Sequence, residues 1–129
     1  MKKHSGFTVI ELVVAIVVLV GTGIIFVIQK NDLNAQHRDI ERKTAINAIY
    51  YNLEEIIYPG LKGYPARLDA AQLKAMDSTL LTDPNGIELG TAGSDYAYEP
   101  SSCAGNICQH YTLRANLERE AAFERRSRN

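Results

Sequence analysis

From Phe7 to Ile28 the chain reads FTVIELVVAIVVLVGTGIIFVI, twenty-two residues with a single charged side chain among them. At ~1.5 Å per helical residue the run spans about 33 Å, enough to cross the hydrocarbon core of a bilayer. It reads as a membrane-spanning helix. The preceding Lys2-Lys3 pair favours retention of the N-terminal end in the cytoplasm, which puts the rest of the chain on the far side. An ordinary secretory signal has a shorter apolar region followed by small residues at the cleavage point. Here the small residues Ser5-Gly6 come first, so cleavage there leaves the whole apolar helix on the mature chain.

Glu11 is the charge inside the run. A carboxylate at the centre of a membrane helix costs about 2.5–3.5 kcal/mol on insertion scales, and less near the end of the span. Glu11 is either a glutamate that reaches the interface or a group placed to meet a positive partner. Cleavage after Gly6 would supply one, the new α-amino group of Phe7. Glu11 of one subunit could then neutralise Phe7 of the next and remove two unpaired charges together.

Lys-Lys-His-Ser-Gly, Phe7-Thr8, Glu11-Leu12 and the long aliphatic run together resemble the N-terminal motif of type IV prepilins and type II secretion pseudopilins. The resemblance covers residues 2 to about 28. It implies a membrane peptidase that cuts between Gly6 and Phe7 and N-methylates Phe7. It also implies a subunit that waits in the bilayer, then joins an inner-membrane assembly platform and polymerises with itself and with other pilins. The leader carries Lys2 and Lys3, so its removal takes 14 basic residues to 12 against 15 acidic ones, a formal charge of −3. Many members of the family have a proline late in the apolar segment. This chain has none before Pro59, but it has Gly21-Thr22-Gly23. Two glycines cost about 1 kcal/mol each against alanine in a helix interior. The stretch is either the place where the helix loosens in a filament or a close helix–helix contact through small residues.

Beyond the span, Gln29 to Tyr58 reads as an amphipathic helix. Ile46, Ile49, Tyr50, Leu53, Ile56 and Ile57 form its apolar stripe, and Pro59-Gly60 is expected to end it. A break near Lys30-Asn31-Asp32 into two helices is the alternative. Arg67–Met76 suits a short helix, and Asp83-Pro84-Asn85-Gly86 is a turn. Asp95–Glu99 and Gln109–Glu118 read as paired strands flanking PSSCAGNIC. The expected fold is α+β, a long N-terminal helix packed on a small antiparallel β-sheet head. Its parts are a leader (1–6), an apolar helix (7–28), an amphipathic helix (29–58), a head with a β-hairpin (59–118) and a charged C-terminal tail (119–129). The tail, Glu118 to Arg128, is expected to be a frayed helix or disordered.

Of 129 residues, about a hundred lie outside the span, enough for one small domain with a marginal core. Cys103 and Cys108 are its only cysteines, and beside a membrane-targeting segment they read as a disulfide formed outside the cytoplasm. Reduced thiols, or a zinc site with His110, are the alternatives. Some pseudopilin heads bind calcium, which makes Asp83, Asp95 and Glu99 candidates by resemblance, although no spaced ligand loop is evident. No cofactor is expected. The formal net charge of −1 gives no reason for an obligatory nucleic-acid partner.

His4, His37 and His110 lie far apart in sequence, and no nucleophile–base pair or phosphate loop is present. These features give no reason to expect an enzyme, and the resemblance implies a structural role: a pilin of a type IV pilus or related filament, supporting adhesion, motility or DNA uptake. Alternatives are a pseudopilin of a type II secretion system and a monomeric single-pass protein with a binding head.

Overall fold

The computed structural model describes Gly6, residues 8–73 and residues 76–128. Lys2, Lys3, His4, Ser5 and Phe7 lie outside the described residues. The chain divides into two compact units, one up to Ala35 and one from Gln36 onward.

Helix α1 runs from Val9 to Asn52 without interruption, so Lys30-Asn31-Asp32 does not break it. In the first unit its side chains face outward. Val9, Leu19 and Phe26 are 81%, 71% and 67% exposed. The apolar part has a mean hydropathy of 2.8 and is long enough to cross a membrane.

In the second unit the apolar stripe turns inward. Ala45, Ile46, Ile49 and Leu53 are buried, against Tyr64, Tyr96, Tyr111, Leu113 and Ala115. Each fully buried aliphatic side chain contributes about 1.5–3 kcal/mol. The stripe departs from expectation at Ile56, which is 45% exposed. Residues Leu53–Ile57 form a π turn. Its wider i→i+5 bonding puts an extra residue into the turn, so the helical register slips. Ile56 rotates outward, and Glu54 becomes buried instead.

Pro59 does not end the helix as expected. A further turn, α2 (Tyr58–Leu61), follows the π turn, with Pro59 in its first positions, where a missing N–H costs little. The stop is Lys62, in left-handed conformation at φ 54°, whose N–H donates to Tyr58 O at 2.8 Å.

The sheet is antiparallel. Its central strand β3 (Ile107–Ala115) pairs along one edge with β2 (Tyr96–Ala104). Its other edge takes β1 (Tyr64–Pro65) at Cys108 and Ile107, and β4 (Phe123–Arg126) between Thr112 and Ala115. Gly63 lets the chain approach β3 closely. A Cβ there would lie 2.4 Å from Ile107 Cγ2 and 3.0 Å from Cys108 O. The fold is α+β as expected, a long helix packed on a small antiparallel sheet.

Three local expectations fail. The described residues of 67–76 form bends and turns, and the nearby helical turn is a short 3-10 segment at Ser78–Leu81. The hairpin strands extend beyond Glu99 and Gln109 as far as Ala104 and Ile107, so the cysteines face each other within the ladder rather than in a loop. The C-terminal segment is neither helical nor disordered, because Phe123–Arg126 is a strand of the sheet.

Candidate functional site

The N-terminal candidates begin with Gly6, which is exposed. Thr8 precedes the first residue of α1, and Glu11 lies three residues further on. Glu11 Oε2 accepts the Thr8 N–H at 2.8 Å and the Thr8 hydroxyl at 2.9 Å. The Glu11 N–H donates back to Thr8 Oγ1 at 3.4 Å. This is a capping box, in which two otherwise orphaned backbone donors are satisfied reciprocally. The carboxylate also lies at the positive end of the helix dipole. Both bonds from Thr8 fall on Oε2, and Oε1 accepts none among the described residues. The Thr8-x-x-Glu11 spacing carries this signal in the sequence, beyond the charge of Glu11.

Gly21, Thr22 and Gly23 lie within regular α-helix. The Thr22 hydroxyl bonds back to the carbonyls of Val18 and Leu19 at 2.9 and 3.0 Å. A Cβ added at either glycine would meet nothing within 4 Å. No contact among the described residues therefore requires glycine at either position.

In the head, Arg42 is the centre of a buried ionic cluster, its side chain 2% exposed. Its guanidinium donates to Asp39 Oδ1 at 3.0 Å, Glu118 Oε1 at 2.8 Å and Asp95 Oδ2 at 2.8 Å. Arg38 grips the two oxygens of Glu118 with Nε and one Nη, at 2.7 and 2.6 Å. The Asp39 carboxylate accepts the backbone N–H groups of Glu118 and Arg119. Burial alone raises the Asp39 carboxyl pKa, but these N–H donors and Arg42 outweigh it and hold it below its usual range. Hydrogen bonds from Arg38, then from Arg42, pull Glu118 down to about 2.

The segment after β3 continues along the helix. Lys43 pairs with Glu120 at 2.7 Å, Arg125 Nε donates to Asn47 Oδ1 at 2.9 Å, and Arg128 pairs with Glu55 at 2.7 Å. Arg125 also lies 5.5 Å from the centre of the Tyr50 ring. The charges that made this segment read as a solvated tail are the groups that fasten it.

A second buried cluster forms where the π turn brings Glu54 inward. Its carboxylate accepts the Tyr111 hydroxyl at 2.8 Å and the Tyr64 hydroxyl at 3.1 Å. The Arg128 N–H approaches at 3.3 Å. Burial, then the bond to Glu54, raises the Tyr111 pKa well above that of a free tyrosine.

Cys103 and Cys108 form a disulfide across the hairpin. The thiolates needed for a zinc site with His110 are therefore not present. The calcium candidates do not converge. Asp83 is occupied by the N–H groups of Asn85, Ile87 and Asp95, Asp95 by Arg42 and Asn85, and Glu99 by Arg114. Among the described residues no group of three His, Cys, Asp or Glu side chains is placed to hold a metal ion.

A family described as the prokaryotic N-terminal methylation motif matches residues 1–25. The match covers the N-terminal motif, and the long helix that starts within it packs on a small antiparallel sheet, an α+β pilin-like fold. The matched stretch contains Gly6, Phe7, Glu11 and Gly21-Thr22-Gly23, while the head lies beyond it. Searches of curated proteins and of solved structures found no match to the chain.

Proposed function

We propose that this pilin-like chain is a structural subunit of a type IV pilus or a related filament. Prepilin peptidase cuts it between Gly6 and Phe7 and N-methylates Phe7, and it polymerises through its N-terminal helix. The carrying observation is the exposed apolar run that opens α1, whose one carboxylate, Glu11, stands four positions after Phe7 in the sequence.

The bond pattern at Glu11 supports a two-stage role. Before assembly the helix spans the cytoplasmic membrane with its N-terminus in the cytoplasm. Glu11 then caps its own helix through Thr8, which lowers the cost of a carboxylate near the membrane surface. After cleavage, Oε1 is available to the Phe7 amine of a neighbouring subunit without loss of the cap. Pairing the two charges away from water favours one register of addition over slipped ones. Contacts with neighbours then cover the apolar side chains that lipid covered before. Gly21-Thr22-Gly23 is the soft point at which the helix loosens as it leaves the bilayer, because the two glycines weaken that turn. The partners are further copies of the chain, other pilins and the inner-membrane assembly platform, and the destination is a cell-surface filament.

Glu11→Ala tests the proposal. It should abolish filaments while the chain still fractionates with the membrane at wild-type level. Normal filaments from the variant would overturn it.

A further inference from the structure

From Gln36 onward the described residues expose few large apolar side chains: Ile40, Tyr51, Ile56, Leu61 and Ile107. Two of them stand beside opposite charges at the two ends of the head's helical segment. Ile40, 63% exposed, borders a groove of about 330 Å³ lined also by Glu41, Thr44, Leu80, Pro84 and Tyr96. The ion pair that Glu41 makes among the described residues is with His37, at 3.3 Å, and no lysine or arginine among them pairs with it. At the far end Leu61, 51% exposed, is followed by Lys62. Lys62 is exposed, and its ammonium has no ion-pair partner among the described residues.

We propose that these two places are the halves of one contact between successive copies of this chain. Leu61 of one copy enters the groove beside Ile40 of the next, and Lys62 pairs with Glu41. This rests on the filament reading, which makes all copies point the same way. Charge complementarity selects the occupant, because an apolar knob with a positive neighbour fits an apolar groove with a negative one. The two halves differ, so the contact is heterologous and repeats along a polymer instead of closing a two-fold dimer. Both pairs, Ile40 with Leu61 and Glu41 with Lys62, are 21 positions apart, so contacting copies are offset by roughly 31 Å along the helix axis.

Charge reversal in the full-length chain, in cells that assemble it, tests the contact. Glu41→Lys and Lys62→Glu alone should each cut the yield of sheared filaments at least about tenfold, since like charges then face each other. The double variant should restore most of the wild-type yield. Thermal melts of the detergent-solubilised single variants should match wild type, which separates lost contact from lost folding. Single variants that assemble normally, or a double variant that stays defective, overturn the contact and leave the filament reading intact. A wild-type chain that never enters a filament overturns both.

Discussion

Arg42 on the helix and Glu118 beyond the central strand are joined at 2.8 Å across 76 residues of sequence. The pair ties the start of the C-terminal segment to the helix, and the same guanidinium also holds Asp39 and Asp95. Removing one member of a buried ionic group costs more than the group contributes, because its partners stay buried and uncompensated. Arg42→Met should therefore destabilise the head by about 3–5 kcal/mol, read as a lower urea midpoint for the detergent-solubilised chain. An unchanged midpoint would mean that the cluster contributes no net stability.

Acid should loosen the same region. Glu118 titrates at about 2 in the folded chain against an ordinary 4.5, and Asp39 and Asp83 are also held below their ordinary values. Lowered folded pKa values contribute stability that is present above the unfolded values and is lost as pH falls through the folded ones. Stability should hold above about pH 5 and decline from about pH 4.5 towards 2. Glu118→Gln should flatten part of that decline. A melting temperature constant down to pH 2 would contradict the assignment.

Tyr111→Phe probes the second cluster. It removes the shortest hydrogen bond to buried Glu54 and leaves the ring in place. The loss should be about 1–3 kcal/mol, the cost of leaving a buried polar group short of a partner. A variant as stable as wild type would show that Tyr64 and the Arg128 N–H suffice.

Reduction of Cys103–Cys108 opens a very short loop. It should cost about 2 kcal/mol by the chain-entropy estimate. The measurement is the denaturant midpoint with and without reductant, compared with a double Cys→Ser variant. Equal midpoints would indicate that β2 and β3 hold the hairpin unaided.

The helix and its polarity were legible because apolar content and 3.6-residue spacing are local signals. The exit of Ile56 from the core was not, since a π turn changes the register without an obvious mark in the sequence. The strands expected to stop at Glu99 and Gln109 run on through PSSCAGNIC, and Pro100 is tolerated there because β2 is an edge strand. The C-terminal segment departs from the expected disorder for a different reason. Its contacts to Arg38, Arg42, Lys43, Asn47 and Glu55 are made by polar and charged groups 70 to 80 residues away in sequence. Mixed charge in a terminal stretch looks solvated until the opposing charges are located. At the N-terminus the apolar run and Glu11 are plain, and the Thr8-x-x-Glu11 spacing also holds the capping box that the structure shows.

The decisive measurement is the intact mass of this chain in filaments sheared from the cell surface. Cleavage after Gly6 and methylation of Phe7 require a subunit that begins at Phe7, carries one added methyl group and retains the Cys103–Cys108 disulfide. Recovery of the chain only from membranes, at the mass of the uncleaved form, would contradict the filament role and favour a single-pass anchor.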